Sequence, residues 1–124
     1  MKRVLVCEDE DSIREFVVIN LVRSGYEVVD VNCGEDALKA YDEKDGGFDV
    51  ALLDIMMPEM DGYEVLQHLK SNPETNNIPV IIMSALSDMQ SIVKGYQLGA
   101  TEYVTKPFQR EELVKRVAHR YELV

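Results

Sequence analysis

Short apolar runs alternate with helical patterns five times along the chain, and this alternation constrains the fold more than any other feature. The runs predicted as strands are Val4–Cys7, Tyr26–Val31, Phe48–Leu53, Pro79–Met83 and Tyr103–Val104. Each is followed by apolar residues at helical spacing, which are Ile13/Phe16/Val17/Leu21, Ala37/Leu38/Tyr41, Gly62/Val65/Leu66/Leu69, Met89/Ile92/Val93/Tyr96 and Leu113/Val114/Val117/Tyr121. Five such units predict an α/β fold with a doubly wound parallel sheet and helices on both faces. At 124 residues, we expect one domain spanning 1–124.

The acidity of the chain limits its partners. With 13 Lys and Arg against 23 Asp and Glu, the net charge is −10, which argues against direct binding to nucleic acid or to an anionic membrane surface. No apolar run approaches the roughly 18 residues of a membrane span, and an acidic run directly after the first strand is unlike a signal peptide. Two cysteines, Cys7 and Cys33, are too few for a disulfide framework. These features favour a cytoplasmic protein.

Polar side chains follow four of the predicted strands. The first strand ends at Glu8 and Asp9, the third at Asp54, the fourth at Ser84, and the fifth at Lys106. Ligands of open parallel sheets bind at the carboxyl ends of the strands. Taken singly, an acidic loop, a serine after a strand or a lysine before proline is common, but their convergence favours a functional site.

A divalent cation would relieve the repulsion among the three carboxylates at this edge. Two unit charges about 4 Å apart repel by roughly 1 kcal/mol in water and about 4 kcal/mol at an effective dielectric near 20. An all-oxygen, open site favours Mg²⁺, with Mn²⁺ as a second choice. Lys106 and Ser84 then supply a charge and a hydroxyl that can hold a phosphoryl group, and Asp54 is free to act as a nucleophile.

Four segments carry a family resemblance. They are RVLVCEDE at 3–10, LLDIMMPEMDG at 52–62, PVIIMSA at 79–85 and GATEYVTKPF at 99–108. Their sequence and order resemble the receiver domain of two-component response regulators over essentially the whole chain. The resemblance implies a flavodoxin-like (βα)5 fold with strand order 2-1-3-4-5.

The resemblance also implies a role for each residue of the cluster. Asp54 would accept a phosphoryl group from the phosphohistidine of a sensor histidine kinase or phosphotransfer protein. Asp9, Asp54 and the main-chain carbonyl of Met56 would hold Mg²⁺, and Glu8 would help through the water shell of the metal. Lys106 would pair with the phosphoryl oxygens, and the peptide bond that follows it, before proline, would be cis.

Phosphorylation would then switch a surface. Ser84 would move to bond the phosphoryl group, and Tyr103 would turn inward behind it. The change would reach helix four, strand five and helix five, which would contact a downstream effector protein or domain, or a second copy in a homodimer. Residues 101–124 hold five Lys or Arg against four Glu, whereas residues 1–100 hold eight against nineteen acids, so the last helix is the least acidic candidate for docking.

Some positions qualify this interpretation. Glu8 stands where the family more often has Asp, which affects the metal geometry. The resemblance places Met56 and Leu86, both apolar, beside the path of an attacking water, which suggests slow self-dephosphorylation. His68 and His119 lie in helical segments away from the strand ends, so we expect both at the surface.

Three alternatives stay open. A Mg²⁺-dependent phosphohydrolase of the haloacid-dehalogenase type would need a second acid two residues after its nucleophile, where this chain has Met56. A flavin-binding module of this fold would need a glycine-rich phosphate loop where this chain has four acids. The chain could also be a receiver fragment of a larger transcriptional regulator or hybrid kinase. The sequence favours a phosphoacceptor switch over a turnover enzyme.

Overall fold

The five predicted units are present in a computed structural model that describes residues 2–43 and 47–122, without the side chains of 42–43 and 120–122. The strands are β1 (Arg3–Cys7), β2 (Glu27–Val31), β3 (Val50–Asp54), β4 (Val80–Ser84) and β5 (Glu102–Thr105). The helices are α1 (Asp11–Arg23), α2 (Gly34–Glu43), α3 (Gly62–Ser71), α4 (Met89–Gln97) and α5 (Arg110–Glu122). The side chain of Tyr121, predicted on the buried face of the last helix, lies outside the described side chains.

The strands form one parallel sheet in the order β2-β1-β3-β4-β5, which confirms the expected topology. The chain steps outward from β1 to β2 and then crosses to β3 on the other side of β1. This reversal lies between β1 and β3, the position where ligands bind in open parallel sheets. A ligand site is therefore expected at the carboxyl ends of β1 and β3.

Alternate residues of the central strands enter two separate cores. In β1, Val4 and Val6 belong to the cluster under α1 and α5, while Leu5 and Cys7 belong to the cluster under α2 and α3. A strand that is covered on both faces must be apolar at every position, which explains the continuous apolar runs in β1, β3 and β4. All residues of β3 and β4 are buried.

The predicted buried face is confirmed for α3 but is wrong at three of four residues in α4. All four apolar positions predicted for α3 are buried. In α4, by contrast, Met89 is 73% exposed, Val93 41% and Tyr96 47%. The buried residue of this helix is Gly95, where an added Cβ would lie 2.8 Å from Cδ1 of Ile82. Ile92 of the predicted stripe packs against the core. The helix therefore packs on the sheet through Gly95 and Ile92, and the other three residues of the stripe face outward.

A second correction concerns α1. Val17 and Leu21 are buried as predicted, but Phe16 is 39% exposed. Its ring lies 6.3 Å from the ring of Phe108 in the loop before α5, so it contacts that loop and does not enter the core. In the described part of the chain, no helix has both the length and the apolar content of a membrane span.

Candidate phosphoacceptor and metal site

The register of the central strands brings two acidic residues together. Cys7 of β1 is paired with Leu53 of β3, so the residues that follow them, Glu8 and Asp54, are neighbours at the edge of the sheet. Both side chains are buried, while the Asp9 side chain is exposed. One carboxylate oxygen from each of Glu8, Asp9 and Asp54 lies within 4.8 Å of the others. The sequence therefore predicted the three members of this acidic group correctly.

The loop after β3 holds Asp54 through a close backbone contact. The amide of Gly62 donates to the carbonyl of Ile55 at 3.0 Å, which folds the start of α3 back against the end of β3. A Cβ at Gly62 would overlap the main-chain carbonyl oxygen of Asp54 and lie 2.9 Å from the Cα of Ile55. Only glycine allows this approach, so the position of Asp54 depends on the residue at 62.

Lys106 connects the two buried acids. Its Nζ lies 2.6 Å from Oε1 of Glu8 and 3.3 Å from Oδ1 of Asp54. The shorter contact is an ion pair without good hydrogen-bond alignment. The amide of Lys106 donates to the carbonyl of Ser84 at 2.7 Å, and the peptide bond between Lys106 and Pro107 is cis, as predicted. Lys106 therefore enters the site from β5 with its backbone held by β4.

The pKa of Asp54 reflects this crowded setting. Burial is the largest cause and Glu8 the second, and together they raise the pKa of Asp54 from 3.8 to about 7, against the opposing effect of Lys106. For Lys106, burial lowers the pKa, but the neighbouring carboxylates of Glu8 and Asp54 outweigh it, so its pKa is raised. The single positive charge of Lys106 does not balance the two buried carboxylates of Glu8 and Asp54.

A divalent cation fits this group of donors. An open pocket of about 430 Å³ is lined by Glu8, Asp9, Glu10, Asp54, Met56, Ala85 and Lys106. Its side-chain donors are carboxylates, the ligand type that Mg²⁺ prefers. Burial and the neighbouring Glu8 raise the pKa of Asp54, so a cation bound beside it would favour its ionised form. The observed chemistry and burial of the donors agree with the metal that the sequence predicts.

Ser84 and Tyr103 meet at the loop after β4. The Oγ of the buried Ser84 accepts a hydrogen bond from the amide of Leu86 at 3.0 Å. The hydroxyl of Tyr103 donates to the carbonyl of Leu86 at 2.7 Å, and its side chain is buried. Tyr103 therefore already lies inward in this structure, where a phosphoryl group was expected to bring it. Ser84 and Tyr103, the two predicted switch residues, therefore both form hydrogen bonds with the main chain of Leu86.

The other residues named from the sequence lie at the pocket rim, at the surface or in the core. Met56 is 58% exposed at the rim of the pocket, and Leu86 is partly buried. His68 and His119 are exposed, as predicted. The Cys7 thiol is free and buried, and burial raises its pKa to about 12, so it is not a reactive thiol at neutral pH.

One residue of the site is missing from the sequence-based prediction. Arg14 of α1 donates from Nη1 to the main-chain carbonyl of Glu8 at 3.0 Å. A cation one turn into the helix that follows an acidic loop is the signal that could have pointed to it. Hydrophobic periodicity does not detect this signal, because it ignores charged side chains.

Comparison with known proteins identifies a family. The model of the response regulator receiver domain matches residues 4–118. The DNA-binding dual master transcriptional regulator RpaA of Synechocystis sp. is 38% identical over 120 residues, covering 94% of this chain and 48% of the relative. The chain spans about half the length of the curated relatives it matches, since it covers 44%, 46% and 48% of three of them.

Solved structures agree with this match. The receiver domain of Francisella response regulator 1452 has a TM-score of 0.89 and 33% identity, with 98% of each chain covered. Response regulator TrrA of Thermotoga maritima, solved in complex with Mg²⁺ and beryllium fluoride, has a TM-score of 0.83 and 35% identity, covering 97% of this chain and 99% of that one.

One prediction about partners needs correction. The net charge argued against nucleic acid, yet the relative from Synechocystis is named a DNA-binding regulator. That relative is about twice as long as the matched segment. The charge of the present chain therefore does not exclude nucleic acid as a partner of a protein that contains such a domain.

Proposed function

Because this chain belongs to the response regulator receiver domain family, we propose that it is a Mg²⁺-dependent phosphorylation switch with Asp54 as its phosphoacceptor. The observation that carries the proposal is the buried Asp54 carboxylate, which shares the Lys106 ammonium with Glu8 at the reversal point of the sheet. A carboxylate kept in such a place at the expense of stability is typical of a functional group.

The proposed metal ligands are Asp9, Asp54 and the main-chain carbonyl of Met56, with Glu8 acting through a metal-bound water. A bound divalent cation would screen the carboxylates from one another and from the oxygens of an incoming phosphoryl group. The clustered carboxylate oxygens support this assignment. Mn²⁺ is expected to substitute, because it accepts the same oxygen ligands.

Phosphotransfer requires one bond to form and one to break. A carboxylate oxygen of Asp54 attacks the phosphorus of a phosphohistidine on a sensor histidine kinase or phosphotransfer protein. The P–N bond breaks, its electron pair stays on the imidazole nitrogen, and the product is an aspartyl phosphate. Lys106 favours the ionised form of Asp54 before transfer and pairs with the phosphoryl oxygens afterwards.

The loop after β4 connects this event to the surface. The Ser84 hydroxyl accepts from the amide of Leu86, so its proton is available for a phosphoryl oxygen. A shift of Ser84 then acts on Leu86, which also receives the hydrogen bond of Tyr103. The exposed apolar residues of α4 begin three residues later with Met89, next to this loop.

We assign signalling to the surface of α4, β5 and α5. Besides the exposed residues of α4, it contains an ion pair at 2.7 Å between Arg116 of α5 and Glu102 of β5. A downstream effector protein or domain, or a second copy of the chain, would contact this surface. The cytoplasmic location and the extent of the domain over residues 1–124 remain predictions.

The chain acts as a switch that loses its phosphoryl group slowly, and not as a phosphohydrolase. The residue two positions after Asp54 is the apolar Met56, which cannot act as a second acid. Family membership supports the same interpretation. Rapid turnover of varied phosphate esters would overturn it and favour the hydrolase.

The test is phosphorylation by a small donor. The chain is incubated with acetyl phosphate and Mg²⁺, and its intact mass is measured. We expect a gain of one phosphoryl group that is lost when Mg²⁺ is chelated and is absent in Asp54→Ala. The matched control is Asp36→Asn, an exposed acid in the first turn of α2, which should be phosphorylated like the parent chain. Full labelling of Asp54→Ala would refute the assignment.

A further inference from the structure

Arg14 makes three separate contacts with a single guanidinium group. Its Nη1 donates to the carbonyl of Glu8 at 3.0 Å, and its Nη2 lies 2.6 Å from Oδ1 of Asp11. Its Nε lies 3.3 Å from Oδ2 of Asp30. These partners belong to the loop after β1, the first turn of α1 and β2, so one side chain joins three elements beside the acidic group.

The contact with Glu8 fixes a peptide group that carries two proposed metal-site residues. The amide of Glu8 donates to the carbonyl of Val31 at 3.1 Å, which extends the pairing of β1 with β2. Its carbonyl is held by Arg14. Because that carbonyl lies in the same rigid peptide plane as the amide of Asp9, holding it sets the direction from which Asp9 enters the site.

At the start of α1, the main chain supports this loop through the amide of Arg14, which donates to the carbonyl of Glu10 at 2.9 Å. The N-cap residue Glu10 makes no side-chain capping bond to the helix. Its amide instead donates to Oε2 of Glu8 at 3.2 Å. Among the described side chains, Arg14 is the one whose contacts join this acidic loop to both α1 and β2.

We propose that Arg14 is a positioning residue for the metal site, which holds the Glu8–Asp9 peptide so that the Asp9 carboxylate can bind the cation. This inference rests on the proposed function. Side chains that orient metal ligands commonly change metal affinity by about 10–100-fold when they are removed.

The direction in which Mg²⁺ affinity changes when Arg14 is removed separates a positioning role from simple electrostatics. Arg14 carries a positive charge close to a cation site, so its removal would also leave Asp11 and Asp30 without this partner. Electrostatics alone therefore predicts tighter Mg²⁺ binding in Arg14→Ala. Loss of positioning predicts weaker binding, and both effects are measured in the same titration.

Mg²⁺ affinity of the unphosphorylated chain is the measurement, by calorimetric titration at a temperature where circular dichroism shows each variant folded. We expect Arg14→Ala to bind Mg²⁺ about tenfold more weakly. Arg14→Lys keeps the charge but cannot reach three partners, so it should also bind more weakly, by about threefold.

Arg3→Ala is the matched control. Arg3 joins the same two strands at the opposite end of β1, through a 2.7 Å contact from its Nε to Oε2 of Glu27. Its loss should lower stability and leave Mg²⁺ affinity within about twofold of the parent chain, because the sites are far apart. Unchanged or tighter Mg²⁺ binding in Arg14→Ala would overturn the proposal. Failure of the parent chain to bind Mg²⁺ would instead overturn the proposed function on which it rests.

Discussion

Asp54 is placed where its charge lowers the stability of the fold. Its pKa rises to about 7 because burial and the neighbouring Glu8 disfavour the carboxylate. The folded chain therefore holds the Asp54 proton more tightly than the unfolded chain does. This contribution to stability is fully present below the unfolded pKa near 3.8 and is lost as pH rises through about 7.

Asp54→Asn should therefore stabilise the metal-free chain at neutral and alkaline pH. Asparagine removes the buried charge and leaves the ion pair between Glu8 and Lys106 in place. We expect a gain on the order of 2 kcal/mol in the free energy of unfolding at about pH 8, and almost none near pH 4. Urea unfolding of both chains across this range measures it. Asp36→Asn, at an exposed site, should show little change at either pH, and a destabilised Asp54→Asn would contradict the account.

Met56 is expected to control the lifetime of the phosphorylated chain. Its exposed side chain lines the pocket that contains Asp54, and it offers no polar group to orient an attacking water. Met56→Asn should shorten the lifetime about tenfold, equivalent to a barrier lower by about 1.4 kcal/mol. The decay is followed by intact mass after the donor is removed. Met89→Asn changes an exposed methionine on α4 and should have no effect; equal lifetimes in all three chains would refute the hypothesis.

Residue identities in the site were predictable because the ends of parallel strands meet at one edge of a sheet. Glu8, Asp9, Asp54, Ser84 and Lys106 could all be named from this rule. Their pairing could not, because the 2.6 Å contact of Lys106 with Glu8 depends on side-chain rotamers that the sequence pattern does not encode. The same reason applies to the inward position of Tyr103.

At the level of the elements, the connection from β3 to α3 determines where Asp54 sits. Gly62 begins the helix within contact of the Asp54 main chain, and Asp61 caps the helix by accepting from the amide of Glu64 at 2.9 Å. The strand, the turn and the helix are therefore fitted to one another around the phosphoacceptor.

Gly62→Ala should damage both stability and function. The added methyl group would overlap the Asp54 carbonyl, so either α3 or the end of β3 must shift. We expect a loss of about 2–3 kcal/mol in unfolding free energy. We also expect slower phosphorylation by acetyl phosphate in the fraction that remains folded.

Gly25→Ala provides the comparison for this variant. Gly25 has a φ of 96° but no atom within 4 Å of an added Cβ. Its replacement should cost about 1 kcal/mol through the backbone alone and leave phosphorylation unchanged. If Gly62→Ala were phosphorylated at the rate of Gly25→Ala, the proposed link between Gly62 and Asp54 would be wrong.

The helices also show where periodicity is insufficient. The apolar spacing in α4 correctly predicted a helix, but of the four residues assigned to its buried face only Ile92 packs against the core. Gly95 has no side chain to register as apolar, yet it lets the helix approach Ile82 and Tyr103 closely. A pattern of side chains reports which residues share a face, and the packing of neighbouring elements decides which face is covered.

At the scale of the whole molecule, strand order and the double-sided core followed from the alternation of elements and the family resemblance. The structure shows how the acidic net charge is distributed over the molecule. Three of the acids form the proposed cation site, while the exposed apolar face of α4 and the nearly neutral α5 provide a surface of different character.

Activation should change the assembly state through this surface. With Mg²⁺ and beryllium fluoride, which imitates a phosphoryl group, we expect the mass measured by light scattering to double. Val93→Glu, on the exposed face of α4, should stay monomeric while still binding beryllium fluoride. Ile19→Glu, at a similarly exposed apolar position on α1, should dimerise like the parent chain. A monomer in every condition would exclude the dimer.

The central claim is that the phosphoryl group is carried by Asp54, and chemical trapping tests it most directly. Borohydride reduces an aspartyl phosphate to homoserine, which peptide mass spectrometry can locate in the chain after treatment with acetyl phosphate and Mg²⁺. The account predicts homoserine at position 54 and no modification when Mg²⁺ is chelated. Reduction at position 9 or 8, or a stable phosphate on His68 or His119, would contradict it.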